Sequence, residues 1–231
     1  MQPEEASAQY SQRISAIISA YFAEDFLEAR LENLMYYSSE KPEIVAVALK
    51  GSKEAHILHK YAMKRDGVNI LLTEDIPTVY AAWNMAIKAS HGLYITNANC
   101  DDLVFKDSYA YMADMLFTST YDMVYGDVIE IPANRVLHFY GDGLEDMLKC
   151  CYGSPMPMWK RSVHDEIGYF NESYHVAGDY EFWLRMLKYG YTLGHCGIIV
   201  GEYLNRPDSV EHRESYLTIQ ETSRARSTYH D

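Results

Sequence analysis

Residues 77–102 read PTVYAAWNMAIKASHGLYITNANCDD, and the fold class turns on how that run divides. Val79, Ala82, Trp83, Ala86 and Ile87 recur at helical spacing. Pro77 sits where a first-turn proline belongs, and Gly92 marks the stop. Residues 93–98 are a short apolar run, the pattern of a buried strand, and they lead straight into Asn99-Cys100-Asp101-Asp102. Upstream the same alternation repeats. Residues 14–20 (ISAIISA), 43–49 (EIVAVAL) and 68–72 are apolar strand-like runs. Between them, Phe22, Phe26, Leu27, Leu31, Leu34 and Met35 follow helical spacing, and 53–65 reads as a polar helix. Four strand–helix alternations in about ninety residues predict parallel βαβ units with helices on both faces of the sheet.

Downstream the pattern changes. Residues 121–131 and 135–140 flank Pro132-Ala133-Asn134 as an antiparallel hairpin. Residues 179–189 read as a helix with Asp179 at its N-cap position and Gly190 after its end. Residues 191–203 are strand-like and 211–227 form a polar helix. The expected organisation is a flexible leader (1–13) and one α/β domain (14–231). That domain divides into a nucleotide-type half (14–102), a mixed half (103–210) and a C-terminal helix or tail (211–231).

The chain has 231 residues, 48% hydrophobic and 23% charged, enough to bury a core. Twenty Lys and Arg face thirty-three Asp and Glu, a net charge of −13 that opposes binding to nucleic acid or anionic lipid. No apolar run approaches the roughly 18–20 residues of a membrane span. Four cysteines without CxxC spacing read as reduced thiols, and the polar N-terminus is no secretory signal, so a cytoplasmic location is expected.

Ligands of open parallel sheets bind beyond the carboxyl ends of the strands. That directs attention to Tyr21 and Phe22, to Lys50–Ser52, to Asn97–Asp102 and to Asp127. Neither GxxxxGK[ST] nor GxGxxG is present, which argues against a P-loop NTPase or a dinucleotide-binding dehydrogenase. Asp101 and Asp102 at a strand end suit a hard divalent cation on a diphosphate; a helix-capping role is the alternative for Asp102. Asp179 is either a general base or an N-cap. Trp159 with Met156 and Met158 would either stack a sugar or pack in the core, and Phe182 and Trp183 read as core. His56 and His59 read as a solvated helix face, and Cys150-Cys151 as buried apolar residues.

The segments 79–84, 89–95 and 96–102 together resemble the donor-binding half of family 2 glycosyltransferases of the GT-A fold. Tyr125-Gly-Asp127, residues 153–162, Ile167-Gly-Tyr-Phe-Asn171 and residues 177–185 are similar, in order and spacing, to its acceptor half. The resemblance covers about residues 14–210. It implies an inverting transfer from a nucleoside-diphosphate sugar to a hydroxyl on a glycan or other acceptor, in polysaccharide or glycoconjugate synthesis. Asp179 is then the general base. Ser19, Tyr21, Lys50, Asn84, Asn99, Asp101 and Arg206 lie toward the donor and its diphosphate; Trp159, Gly178 and His175 lie toward the acceptor. Asp101 is the ligand for a Mn or Mg ion.

Three positions depart from the family pattern. Asn99 replaces the first Asp of D-x-D, Leu49-Lys50 replaces an acidic pair, and Arg206 replaces a late histidine. An amide is a poor ligand for a hard cation, and an Arg fork pairs with phosphate, so weak or optional metal dependence is expected. A partner domain or homo-oligomer is expected to help present acceptor. The alternatives are a non-catalytic nucleotide-sugar-binding module and a sugar nucleotidyltransferase, although the latter lacks its usual basic, Gly-rich first loop.

Overall fold

In the computed structural model, residues 13–206 and 214–230 are described. The expected leader lies outside them except for Arg13, as do residues 211–213 of the expected last helix. Four strands, β1 (Ile14–Ala20), β2 (Glu43–Leu49), β3 (Val68–Thr73) and β4 (Tyr94–Asn97), pair in parallel in the order β3-β2-β1-β4. Between them run α1 (Leu27–Glu32), which continues as a wider turn over Asn33–Tyr37, α2 (Lys53–Ala62) and α3 (Val79–Ala89). Thr78 caps α3 by accepting the Ala81 amide at 3.0 Å, so Pro77 falls just before the cap.

Alternation along β1 and β2 explains why both faces are covered. Ile14, Ala16, Ile18, Ile44, Ala46 and Ala48 pack against α1 and α2, while Ile17, Val45 and Val47 pack against α3. Helix α1 begins later than its apolar spacing suggests, because Phe22 stands 78% exposed with φ +52 and takes no part in the core.

The second half adds β5 (Leu103–Val104), α4 (Ser108–Thr118), β6 (Met123–Ile131), β7 (Arg135–Leu137), α5 (Gly143–Lys149), β8 (Met158–Lys160), α6 (Val163–Ile167), α7 (Gly178–Lys188), β9 (Leu193–Leu204) and α8 (Ser215–Tyr229). Strands β6 and β7 form the expected antiparallel hairpin. Strand β8, a three-residue piece between Pro157 and Arg161, is inserted antiparallel between β4 and β6 and extends the sheet. Strand β9 runs parallel to β6 and antiparallel to β5. The sheet is therefore mixed, parallel at one side, as the sequence leads one to expect.

Helix α7 begins at Gly178, with Ala177 as its cap, which corrects the N-cap reading of Asp179: that residue is the second of the helix. A Cβ on Gly178 would lie 2.7 Å from the Tyr80 ring, so only glycine lets the helix start there. Gly190, at φ +87, ends the helix as anticipated. Cys150 and Cys151 are exposed, not buried, because α5 stops at Lys149 on the surface. Among the described residues no helix is long and apolar enough to cross a membrane.

Candidate active site

A cleft of about 570 Å³ opens at the carboxyl ends of β1 and β4. It is lined by Ser19, Tyr21 and Asn99 to Asp102, by Ile76 to Tyr80, by His175 and Val176, and by Tyr203, Leu204 and Arg206. These pieces are far apart in sequence and meet for simple topological reasons. Parallel pairing of β1 with β4 brings Ser19 and Asn99 to one edge. Antiparallel pairing of β5 with β9, Leu103 opposite Glu202, then lays the Asp101-Asp102 loop against Leu204 and Arg206.

Two charges organise the loop. Asp101 Oδ2 accepts from Arg206 Nη2 at 3.0 Å and Nε at 3.2 Å, and the guanidinium lies 4.4 Å over the Phe26 ring. Asp102 is buried and caps no helix. Its Oδ1 accepts the Leu204 amide at 3.1 Å and its Oδ2 the Asn99 side-chain amide at 3.1 Å, tying the loop to β9. Burial, reinforced by the charge of Asp101, pushes the Asp102 pKa up to about 7.

This shift has a sign that can be worked out. A carboxyl protonated in the folded chain up to about pH 7, but ionised when unfolded above about pH 4, makes the native state bind the extra proton. Its contribution to stability is whole at low pH and is lost as pH rises toward 7. Relative to Asp102→Asn, the wild type should lose up to about 1.4 kcal/mol per pH unit between pH 5 and 7. Urea denaturation of both proteins across that range checks this; parallel pH profiles would refute it.

Cys100, also in the cleft wall, has its thiol pushed up to about 12 by burial and is no nucleophile at neutral pH.

Tyr80, buried on α3, also lines the cleft, and its hydroxyl donates to Asp179 Oδ1 at 3.2 Å. The same oxygen accepts the Tyr180 amide at 2.8 Å. Burial, and then the charge of Asp179, hold the Tyr80 hydroxyl well above its ordinary pKa, so it remains a donor. Asp179 thus stands one hydrogen bond behind the cleft wall, at the N-terminal end of α7, with His175 and Val176 of the same approach segment lining the cleft. A carboxylate beside the cleft and a guanidinium in its lining are groups that can accept a proton from a hydroxyl and meet a departing anion.

The structure brings Ser19, Tyr21, Asn99, Asp101, His175 and Arg206 to this one cleft, with Gly178 and Asp179 beside it. Three expected residues are elsewhere. Lys50 pairs with Glu74 in an exposed ion pair at the end of β2. Asn84 is buried, its side-chain amide donating to the Phe170 carbonyl at 2.9 Å and to Glu172 at 2.8 Å while its oxygen accepts the Phe170 amide at 3.0 Å; it holds a loop. Trp159 has no exposed surface, and its indole donates to His164 Nε2 at 2.9 Å, so it is core, where Met156 and Met158 also lie.

Asp127, at the bulge of β6, lies outside the cleft lining. Burial raises its pKa, but hydrogen bonds from His195 (2.9 Å) and His138 (2.7 Å) outweigh this and hold the carboxyl below its ordinary range.

Sequence reasoning missed Tyr80, Ile76, Phe26 and Tyr203. Tyr80 had one signal: it lies on the apolar face of α3, the best-marked helix, beside Trp83. The other three show nothing local. Among the described residues no group of three or more His, Cys, Asp or Glu side chains is placed to hold a metal ion. Asp101 is ion-paired to Arg206, and Asp102 is hydrogen-bonded at both oxygens.

Comparison with known proteins agrees with this architecture. The family described as glycosyl transferase family 2 matches residues 15–171. Over 119 residues the chain is 31% identical to the uncharacterized glycosyltransferase YwdF of Bacillus subtilis, covering 47% of this chain and 44% of that protein. The crystal structure of S. aureus TarS 1–349 in complex with UDP-GlcNAc is similar with a TM-score of 0.74 at 16% identity, over 94% of this chain and 66% of that one. The mannosyltransferase PcManGT of Pyrobaculum calidifontis, in complex with GDP-Man and Mn²⁺, gives 0.70 at 17% identity, over 92% and 62%. The chain therefore spans less than half of the curated relative and under two thirds of the mannosyltransferase. The mixed α/β, GT-A type of fold expected from the sequence is borne out.

Proposed function

The chain belongs to glycosyl transferase family 2, and from that premise we propose that it is an inverting glycosyltransferase. It moves a sugar from a nucleoside-diphosphate donor to a hydroxyl acceptor, in glycan or glycoconjugate assembly. The observation that carries this reading is the single cleft that joins the Asn99–Asp102 loop and Arg206 to the wall leading into Asp179. In the proposed reaction Asp179 accepts the proton of the acceptor hydroxyl. The oxygen attacks the anomeric carbon from the side opposite the diphosphate, and the bonding pair of the broken C–O bond leaves with the diphosphate. The O–H breaks and its proton passes to Asp179, one C–O forms and one C–O breaks, and attack opposite the leaving diphosphate inverts the configuration.

A carboxylate is a weak base for an alcohol, but the proton leaves late, when an oxocarbenium-like centre has made the hydroxyl acidic. The Tyr80 hydroxyl and the Tyr180 amide support this by orienting the Asp179 carboxylate. Ser19, Tyr21 and Asn99 are read as donor contacts. Arg206 is read as the group that compensates the leaving diphosphate, exchanging Asp101 for phosphate oxygens as the donor binds. A divalent cation bound with the donor would supply further charge neutralisation there.

The structural neighbours in complex with UDP-GlcNAc and with GDP-Man define the first panel to try. Melting temperature should rise with one of UDP, GDP, TDP or CMP, and the rise should persist in EDTA to a measurable fraction. Stabilisation by none of these nucleotides, with or without Mn²⁺, would sink the donor reading. Binding or turnover that vanishes entirely in EDTA would sink the assignment of Arg206.

A further inference from the structure

We propose that Glu221, on α8, is a positioning residue for the proposed transfer: it fixes the backbone that carries the cleft wall at His175 and Val176 into the helix of Asp179. This rests on the reading of the cleft given under Proposed function. Glu221 is buried, and its carboxylate gathers three consecutive main-chain amides. Oε2 accepts from Val176 at 2.9 Å, Ala177 at 3.0 Å and His175 at 3.1 Å, and Oε1 accepts His175 at 2.8 Å. Two of the three residues line the cleft, and the third, Ala177, caps α7 two residues before Asp179.

Consecutive amides turned to one side form a concavity that attracts an anion. Here the anion comes from the chain itself, 44 to 46 residues away in sequence.

Anchoring of α8 alone does not call for this. The helix has other fastenings: Arg226 donates to the Tyr180 hydroxyl and the Lys149 carbonyl, each at 3.0 Å; Tyr229 donates to Glu181 at 2.6 Å; Arg224 donates to Ser173 at 2.7 Å and stacks 4.2 Å over Tyr174. Ala225, one turn on from Glu221, is fully buried. A buried carboxylate is costly to desolvate, and this one is satisfied by amides of the segment that must be held still if Asp179 is to meet the acceptor. A misplacement of about 1 Å in such a group costs on the order of 100-fold in rate.

The test compares Glu221→Ala, Glu221→Gln and, as a docking control, Tyr229→Phe with the wild type. Three readouts are needed: amide hydrogen exchange in peptides spanning 173–180, kcat and KM for turnover of UDP-GlcNAc or GDP-mannose, and nucleotide affinity. In Glu221→Ala, exchange at 175–177 should quicken and kcat fall by roughly 10- to 100-fold. Nucleotide affinity should change by less than about twofold, since the donor wall is untouched. Glu221→Gln, which keeps an accepting oxygen, should recover part of kcat, and Tyr229→Phe should leave it unchanged.

Unchanged exchange or unchanged kcat in Glu221→Ala overturns the inference, as does an equal kcat loss in Tyr229→Phe. Should Glu221→Ala not fold, Glu221→Gln decides by the same readouts. A wild-type protein inert toward every donor overturns the underlying reading instead, an outcome distinct from active wild type with an indifferent Glu221→Ala.

Discussion

Asp179→Asn should lower turnover of the donor by about 10²- to 10⁴-fold while leaving nucleotide affinity within a small factor of wild type. The range is that of a positioned general base. Asn is nearly isosteric and can still accept from the Tyr80 hydroxyl and the Tyr180 amide, so the local geometry survives and only the proton acceptor is lost. Steady-state kinetics beside nucleotide titration separates the possible results. Loss of kcat with retained affinity marks an enzyme whose base is Asp179. Equal background turnover in both proteins marks a nucleotide-sugar-binding module, and loss of affinity places Asp179 in the donor contact instead. Tyr80→Phe, which removes one orienting hydrogen bond, should show a smaller effect in the same direction.

Trp159→Ala should cost about 3–5 kcal/mol of stability, the usual range for deleting a buried aromatic side chain. Trp159 is wholly buried at the centre of an aromatic cluster, with ring centroids of Trp183 at 5.3 Å, Phe170 at 6.0 Å and His164 at 6.1 Å. Its indole N–H donates to His164 Nε2, whose other ring nitrogen donates to the Gly168 carbonyl at 3.0 Å. Burial pulls the His164 pKa down to about 4, so the imidazole stays neutral and keeps this arrangement at neutral pH. Trp159→Phe should cost less than Trp159→Ala in volume but leaves His164 Nε2 without its donor, about 1–3 kcal/mol for a buried unsatisfied group. Against a typical total of about 5–15 kcal/mol, the alanine variant is marginal. Urea midpoints at constant m-value measure both; an alanine variant within about 1 kcal/mol of wild type would show that the cluster repacks.

The parallel half was legible because its determinants are local. A strand covered on both faces is largely apolar, and β1, β2 and β4 are short, largely apolar runs, with the cleft opening at the carboxyl ends of β1 and β4. The helices between them declare themselves by period and cap. The candidate donor residues Tyr21, Asn99 and Asp101 were therefore found from strand ends and Asp179 from its place at a helix start, with the family resemblance supplying Ser19 and Arg206. Asn84 came from motif position and Lys50 from the end of β2, and their neighbours tell another story: the side chain of one bonds a loop backbone across the core, that of the other an exposed glutamate.

Strand β8 was not legible. Its three residues sit beside prolines and carry no period, and they become a strand only because β4 and β6 leave a gap of one strand's width. The start of α7 was misplaced by one residue for a similar reason, since the ring of Tyr80, 98 residues earlier, demands a residue without a Cβ.

Sequence by itself determined the layered class, the edge of the sheet where the cleft opens, and the kind of groups gathered there, because these follow from hydrophobic period and from residues adjacent in the chain. Only the tertiary structure decided that Arg206 meets Asp101, that Asp102 is a neutral buried tie at low pH, that Tyr80 holds Asp179 and that Glu221 holds the segment before it. Each of those is a contact across tens of residues, and its energy depends on burial and on partners that no local pattern encodes.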